Sequence, residues 1–367
     1  MEIEIHRTVT SVAAAWDALA DEVGAAPFMR PGWFAAWADA FTTVGLTIVA
    51  LRRGTDLAAV LPLIERRGAA RSATNDHTPM FEILAADEAS AYALATAVFE
   101  RRPRSVTLQL VDPDATTTRG WLAGAADVGY GTRTEILLRS PYIDTTCGWE
   151  EYKRRIGTRM RADIRRRRRR MDDEGKVTVE VHDGSVGLEA LLDEGFGVEA
   201  AGWKGQTGTA IAADPTTVRF YTEIARWAAA RGWLRLCFLR LDDRAVAFDY
   251  NLDADGVYYG LKGGYDEAFR RFAPGKILLM EMIERIFEQD ATRYEFLGEE
   301  EPYKLEWADG TRPRALTQVF SPSVLGRVER LAYSHGRPLA KQTLAGARRF
   351  RERRSRRPGR RAQPETP

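Results

Sequence analysis

The first 140 residues alternate short apolar stretches with segments of helical periodicity. Residues 46–52 and 57–66 flank a Gly-Thr-Asp turn and predict a hairpin. The remaining patterns predict strands at 2–8, 105–111 and 133–138, and helices at 11–23, 31–41 and 117–128. This mixture of elements indicates an α/β fold.

A second series of elements begins with a basic helix, predicted from about residue 149 to 174 and ending at Gly175. The segments 234–241, 245–252 and 257–263 follow one another closely, and the Asp-rich turns between them predict an antiparallel meander. The same patterns predict further strands at 177–182, 294–297 and 316–320, and helices at 187–201, 215–230 and 277–288.

The loop after the meander places a helix N-terminus directly behind a strand. Pro274 and Gly275 open this helix, where unpaired backbone N–H groups and the helix dipole favour an anion. Gly275 permits close approach of a phosphate, and Arg270, Arg271 and Lys276 add positive charge. A Pro-Gly pair is also typical of an ordinary loop before a core helix, so the spacing alone leaves both interpretations open.

Length and composition limit the classes of protein. A chain of 367 residues with 44% hydrophobic and 10% aromatic residues suits two globular domains. No apolar run approaches the roughly 20 residues that span a bilayer, and the N-terminus lacks the pattern of a secretion signal. We therefore expect a cytoplasmic protein without a transmembrane segment. Cys147 and Cys237 lie far apart without CxxC spacing, and no metal is expected.

Positive charge is concentrated in two segments. Residues 153–170 carry eleven Lys or Arg and one Asp, and residues 348–367 carry nine Arg and two Glu. The overall net charge is only +2, so the remaining surface is acidic. Such patches suit anionic partners: coenzyme A phosphates, tRNA through the basic helix 153–170, or anionic membrane lipid at the tail.

Several stretches in one order carry a resemblance to a known family. They are MRADIRRRRRRMDDEG, WKG at 203–205, FY at 220–221, AFDYNL, YYGLKGGYDEAFRRFAPGKILL and YEFLGEEEPYKLEWADG. Together they cover residues 159–308, and PFMRPGWFAAWADAF near the N-terminus adds to them. The chain resembles the BioF2-like or CelD-like acetyltransferases of the GNAT superfamily, which are related to the FemAB-type tandem enzymes.

The resemblance implies an acyl-CoA cofactor as donor, with acetyl-CoA as the simplest case. Coenzyme A would lie along the strand 257–263 with its pyrophosphate on the following loop. The usual Q/R-x-x-G-x-G/A loop is not intact, because Gly275 is followed by Lys276 and Ile277. The predicted cofactor-binding residues are Tyr259, Gly260, Leu261, Lys262, Arg270, Arg271, Pro274, Gly275, Lys276 and Ile277.

Transfer to an amine requires a proton acceptor for the amine and an acid for the thiolate. Tyr303 is the predicted acid. It follows the short strand predicted at 294–297, a position at which GNAT enzymes often place a tyrosine acid beside the thiolate. Asp249, Asp266 and Glu199 are the candidate bases, although such carboxylates more often cap turns or face solvent. Trp203, Lys204 and Tyr265 are predicted to contact the acceptor substrate.

The resemblance also implies a tandem GNAT-like fold, with mixed central sheets flanked by helices. We predict an N-terminal GNAT-like half at 1–145, a C-terminal acyltransferase half at 146–320 and a basic, partly disordered tail at 321–367. The leading function is acyl-CoA-dependent N-acyltransfer to a small-molecule or cell-surface polysaccharide precursor. FemAB-like aminoacyl transfer from tRNA and an inactive relic that binds anionic surfaces or nucleic acid are the alternatives.

Overall fold

The computed structural model describes residues 1–41, 45–202, 205, 208–289, 291–331 and 333. Among these residues the bounds of thirteen strands, ten helices and three 3-10 turns are defined, and residues 324–331 are also helical. The strands are β1 (Glu2–His6), β2 (Leu46–Arg53), β3 (Asp56–Arg66), β4 (Ala69–Ser72), β5 (Leu84–Ala85), β6 (Ser105–Val111), β7 (Gly131–Asp144), β8 (Val177–His182), β9 (Leu234–Leu241), β10 (Arg244–Ala254), β11 (Val257–Tyr265), β12 (Arg293–Glu295) and β13 (Gly310–Phe320).

The helices surround these strands. They are α1 (Ala13–Glu22), α2 (Pro31–Phe41), α3 (Glu88–Glu100), α4 (Thr116–Asp127), α5 (Trp149–Arg155), α6 (Thr158–Asp172), α7 (Leu188–Ala200), α8 (Pro215–Ala230), α9 (Pro274–Glu288) and α10 (Pro302–Leu305). The 3-10 turns are Pro27–Met29, Ile211–Ala213 and Glu267–Phe272. None of the described helices is both long enough and apolar enough to cross a membrane.

All of these strands join one mixed sheet. Its order is β1-β2-β3-β4-β6-β13-β7-β12-β11-β10-β9-β8, and β5 pairs with β3. β13, near the end of the described chain, lies between β6 and β7, which come from the first 144 residues. The predicted α/β class with a mixed sheet and flanking helices is confirmed, and the sheet is continuous across the molecule.

Two parallel strand pairs give the sheet an internal repeat. β4 pairs with β6 over residues 69–71 and 105–107, and α3 connects this region to β6. β11 pairs with β12 over 257–259 and 293–295, and α9 forms the connection. The other strand pairs are antiparallel, including the predicted meander β9-β10-β11.

The predicted long basic helix is wrong in one respect. It is two helices, α5 and α6, separated at Ile156 and Gly157. Gly157 has a φ of +76°, which a residue with a side chain rarely adopts, so the chain changes direction here. The basic segment 153–170 therefore spans the end of α5 and most of α6.

The β9–β12 region of the sheet has two covered faces. Cys237, Tyr258 and Tyr294 pack with α5, α6 and α9 on what we call the α9 face. Phe248, Tyr250 and other core side chains pack with α7 and α8 on the opposite, α8 face. The groups that surround β11 on these two faces form the candidate site.

Candidate active site around strand β11

Glycines remove the side chains of β11 at two positions on its α9 face. A Cβ at Gly260 would lie 2.5 Å from the Tyr294 hydroxyl, and one at Gly263 would lie 2.2 Å from Asp249 Oδ1. Neither side chain could be accommodated without movement of its neighbour. The Tyr294 hydroxyl and Asp249 therefore lie directly against the β11 backbone, and this strip of backbone from Gly260 to Gly263, with the two side chains beside it, is called the groove below.

The sheet opens at one end of this groove. Pairing between β11 and β12 ends at Tyr259 and Glu295, so from Gly260 onward the described pairing of β11 is with β10 alone. Leu261 is an extra residue in that pairing, because Tyr250 faces Lys262 and Asn251 faces Gly260. Such a bulge leaves backbone groups free to bind a ligand. This opening after Tyr259 is called the cleft below.

The other end of the groove meets the N-terminus of α9. Gly275 lies beside the Tyr265 ring, since a Cβ built on it would be 3.3 Å from Cδ1 of that ring. Ala273, with a φ of +52°, is the N-cap residue and supplies no side-chain hydrogen bond. Pro274 has no N–H, and the Lys276 and Ile277 N–H groups bond the Ala273 carbonyl, so the Gly275 N–H and the partial positive charge of the helix remain to suit an anion.

The equivalent helix of the internal repeat is closed. Asp87 caps α3 and accepts a hydrogen bond from the Ser90 N–H at 2.6 Å. A carboxylate thus already occupies the N-terminus of α3. This contrast favours the β11 region over the β4 region as the place where an anionic ligand binds.

Basic residues near α9 differ in how far they are engaged. Lys276 forms an ion pair with Glu306, and Arg271 donates to Glu174 at 2.9 Å. Arg270 is exposed at the surface of the 3-10 turn before α9. Pro274 and Ile277 are buried and anchor the start of α9 in the core.

Helix α6 packs against α9 and the 3-10 turn before it. Only two of the six consecutive arginines at 165–170 take part in this contact. Arg167 donates to the Arg271 carbonyl at 2.9 Å, and Arg168 pairs with Glu281 of α9 at 3.2 Å. The other arginines of the run are exposed: Arg165, Arg166, Arg169 and Arg170. The basic helix therefore presents four guanidinium groups to solvent next to the open end of α9.

Tyr303 and Asp249 are brought together with Tyr294. Desolvation raises the pKa of the Tyr303 phenol, and the charges of Glu301 and Asp249 raise it further. Tyr303 is 49% exposed, so its ring borders solvent while its hydroxyl feels the charges of the groove. The same Asp249 charge, after desolvation, raises the pKa of Tyr294. Tyr303 thus remains protonated at neutral pH and can donate a proton.

Cys237 lies beneath the groove and is unsuited to nucleophilic attack. Its thiol lies 3.5 Å from the Tyr258 hydroxyl and accepts a hydrogen bond from the Asn251 amide at 3.5 Å. Burial raises the pKa of this thiol to about 12, and the nearby Asp249 charge acts in the same direction. The thiolate needed for covalent catalysis is therefore scarce at neutral pH.

The other two candidate bases already accept backbone hydrogen bonds. Asp266 accepts from the Ala268 N–H at 2.9 Å and pairs with Arg244 at 2.6 Å. Glu199 is 1% exposed, and its Oε2 accepts from the Ile211 N–H at 2.9 Å. A Cβ at Gly264 would meet Glu199 Cα at 2.9 Å, so α7 approaches β11 closely at this point.

A hydrogen-bonded chain that sequence reasoning missed lies on the α8 face. Asp214 Oδ2 accepts from the Thr217 hydroxyl at 2.8 Å, so that hydroxyl oxygen can accept from His77 Nε2 at 3.4 Å. His77 Nδ1 is then the acceptor for the Tyr221 hydroxyl at 3.3 Å. Burial lowers the pKa of His77, and the charge of Lys262 lowers it further.

These contacts join distant parts of the sequence. Lys262 lies 5.5 Å from the centre of the Tyr221 ring, which places it beside the His77 chain. No periodic pattern in the sequence marks this arrangement, because His77 lies in a loop and meets α8 only in the folded chain. Trp203 and Lys204, predicted to contact the acceptor, lie outside the described residues.

The part of the chain that contains β11 matches a known protein family. Residues 158–305 match a family described as an acetyltransferase (GNAT) domain. This segment contains α6, the meander, the groove and all of α9. No match was found among curated proteins.

Solved structures share the fold across most of the chain. One is the C-terminal domain of a candidate lysylphosphatidylglycerol synthetase from Agrobacterium fabrum, with a TM-score of 0.57 and 12% identity over 88% of this chain and 95% of that one. FemX has a TM-score of 0.57 and 13% identity, with 86% and 97% covered. L-PGS from Bacillus licheniformis has a TM-score of 0.53 and 13% identity, with 85% and 93% covered.

At identities of 12–13% the solved structures establish the fold alone. The family match adds the acetyltransferase character of 158–305. The chain therefore contains a segment that matches GNAT acetyltransferase domains, set within a fold shared with these three solved structures.

Proposed function

We propose that this protein is an acyl-CoA-dependent N-acyltransferase of the BioF2-like or CelD-like type, active in the cytoplasm. The observation that carries the proposal is the glycine groove, which runs from the open N-terminus of α9 to the cleft beside β12. The pyrophosphate of the donor binds at Gly275, with Arg270, Arg271 and Lys276 around it. The pantetheine arm follows β11 from Gly263 toward Gly260, and the thioester lies between them at Leu261.

The reaction in this proposal is a direct transfer. The neutral amine attacks the thioester carbonyl, a C–N bond forms and the C–S bond breaks. Backbone N–H groups of β11 near the Leu261 bulge stabilise the oxyanion of the tetrahedral intermediate. Tyr303 gives its proton to the departing thiolate. Asp249 supports this role because its charge keeps the phenol protonated.

The proton lost by the amine leaves on the α8 face in this proposal. Glu199 accepts it there. Burial, and then the Glu199 charge, raise the pKa of the nearby Tyr221 phenol, which donates a hydrogen bond to His77 Nδ1. Asp266 instead caps the 3-10 turn before α9. The acceptor is an amine of a small molecule or a cell-surface polysaccharide precursor.

The proposal is tested by turnover of acetyl-CoA and longer acyl-CoAs with a panel of amino acids, amino sugars and polyamines. Release of the coenzyme A thiol and an acylated amine of the expected mass are the predicted results. Absence of both products with every thioester, under conditions where the protein is folded, would reject acyl-CoA transfer.

Aminoacyl transfer from tRNA is a second candidate, favoured by the exposed guanidinium groups of α6. The four exposed arginines lie near the N-terminus of α9, where they can bind the phosphates of an RNA backbone. They are Arg165, Arg166, Arg169 and Arg170. This candidate predicts tRNA binding that weakens steeply with salt. Replacing the four arginines by glutamine should abolish aminoacyl transfer while thioester binding stays unchanged.

A further inference from the structure

A cluster of charged side chains lies on the side of β12 and β13 opposite to Tyr294. Glu295 Oε1 is 2.7 Å from Arg293 Nε and 3.5 Å from Arg312 Nε. Glu295 is 2% exposed, and Arg314, two residues beyond Arg312 on β13, is 4% exposed. Charges this deep in a protein normally have their hydrogen-bonding capacity filled.

The hydrogen bonds of this cluster are incomplete. Glu295 Oε2, Arg312 Nε and Arg314 Nε are buried without a hydrogen-bond partner among the described residues. Arg293 and Arg312 are 29% and 37% exposed, so their side chains also reach an opening. Each guanidinium carries five N–H donors in a planar fork that matches a carboxylate or a phosphate.

The charges of the cluster favour an added anion. Glu82, on the loop before β5, feels the charges of Arg314, Arg312 and Arg293 as well as that of Asp112. Desolvation nevertheless raises the pKa of Glu82 and that of Glu295. Burial therefore disfavours the charged form of both acids, which lie beside three guanidinium groups.

The cluster also reaches the reacting end of the groove. Glu295 is the last residue of β12 that pairs with β11, and its partner Tyr259 directly precedes Gly260. Tyr294 faces the groove, so the alternation of side chains along β12 directs Glu295 to the other side. A molecule held by the arginines would approach the cleft from the face opposite to the donor.

We propose that Arg293, Arg312, Arg314 and Glu295 form the acceptor subsite, and that the acceptor is an amine bearing a carboxylate or phosphate group. Arg312 and Arg293 bind the anion, and Glu295 faces the amine. This inference rests on the proposed function, for which it names the class of acceptor.

Two matched pairs of compounds test the subsite by calorimetry in the presence of saturating coenzyme A. Glutamine is compared with its α-carboxamide, and glucosamine 6-phosphate with glucosamine. Tighter binding of one anionic member, by roughly tenfold or more, is expected. Preference within the first pair indicates a carboxylate acceptor, and preference within the second indicates a phosphorylated one. No preference within either pair would overturn the proposal.

A substitution tests whether Arg312 causes the preference for the anionic compound. Arg312→Leu should remove it while leaving the affinity for acetyl-CoA unchanged. Arg133→Leu is the control, because Arg133 is a partly buried arginine at the other end of the β7–β13 pairing and bonds Gln318 and Glu135 instead. An anion preference that survives in Arg312→Leu would contradict the assignment. If the unmodified protein does not bind acetyl-CoA, the proposed function itself is rejected. The two failures are therefore distinguishable.

Discussion

At the scale of residues, glycine and tyrosine determine the shape of the candidate site. At Gly260 and Gly263 the Tyr294 hydroxyl and Asp249 approach the β11 backbone so closely that a side chain would clash with them. Tyr258, Tyr259 and Tyr294 are buried in this region. The sequence YYGLKGGY identified this strand, but which tyrosine faces the groove depends on the bulge at Leu261. A bulge of one residue reverses the alternation of side chains and leaves no clear pattern in the sequence.

Tyr303→Phe tests the acid. Removal of the hydroxyl should lower kcat about 100-fold, the usual contribution of a positioned general acid, without changing donor affinity. Because the pKa of Tyr303 is raised above its ordinary 10.0, the acid form persists below that pH and is lost only at higher pH. Rates of amine transfer measured from pH 6 to 10 should show no alkaline fall from this group. An unchanged kcat in Tyr303→Phe would remove the residue from the mechanism.

Cys237→Ala tests whether transfer is direct. With a pKa of about 12, the thiol is ionised to roughly one part in 10⁴ at pH 8, so no acyl-enzyme should form on it. We expect kcat to change less than about threefold and intact-protein mass spectrometry to show no acylated species. An acylated wild-type protein whose acyl group disappears in Cys237→Ala would require a two-step mechanism.

At the scale of elements, the two helices of the internal repeat differ in their N-termini. α3 is capped by Asp87 and α9 is not capped by a side chain. The hydrophobic pattern of the sequence predicted α9 but not α3. Gly120 and Gly124 let α4 approach so closely that a Cβ on either would meet α3 backbone oxygens at 2.4 and 2.5 Å. This contact buries small residues around much of α3, so its apolar stripe is weak.

Asp87→Ala tests the capping contrast. Loss of the cap should lower the free energy of unfolding by about 1 kcal/mol, and Asp87→Asn should lose less. The Ser90 hydrogen bonds hold the pKa of Asp87 below its ordinary 3.8. Its contribution is therefore present above pH 3.8 and is lost as the pH falls through the lower, folded-state value. Urea denaturation at pH 7 and pH 3 measures both effects, and a weaker affinity for acetyl-CoA in Asp87→Ala would contradict the assignment of the donor to α9.

At the scale of the whole molecule, a buried arginine links sequence-distant elements. Arg30 is 1% exposed and pairs with Asp21, with Asp17 at 3.6 Å and with Asp255 at 3.1 Å. Its guanidinium also lies 4.9 Å from the centre of the Trp233 ring. Asp255 belongs to the turn between β10 and β11, so Arg30 connects the N-terminal helices to the strand that carries the groove.

Arg30→Met should destabilise the protein by about 2 kcal/mol, because it removes several charged hydrogen bonds while the partly exposed carboxylates remain hydrated. Arg226→Met is the control: Arg226 is 50% exposed and pairs with Glu189 and Glu223. It should cost less than about 0.5 kcal/mol. Urea unfolding followed by tryptophan fluorescence and circular dichroism measures both, and equal destabilisation by the two variants would contradict the linking role.

The sequence predicted local elements better than the long-range arrangement of the sheet. The strands 105–111 and 177–182 and the helix 31–41 have the predicted bounds, because periodicity and turn residues are local signals. The insertion of β13 between β6 and β7 has no such signal. The charged cluster of Glu82, Glu295 and Arg312 depends on that insertion, so the candidate acceptor subsite could not be predicted from the sequence.

Donor binding at α9 is the central claim, and calorimetric titration with acetyl-CoA tests it most directly. Wild type should show saturable binding, and Gly275→Ala should retain it because a Cβ would meet only the Tyr265 ring at 3.3 Å. Gly275→Asp should weaken binding by roughly tenfold or more, since a carboxylate would face the pyrophosphate. Equal affinity in Gly275→Asp and wild type, or no binding by wild type, would contradict the account.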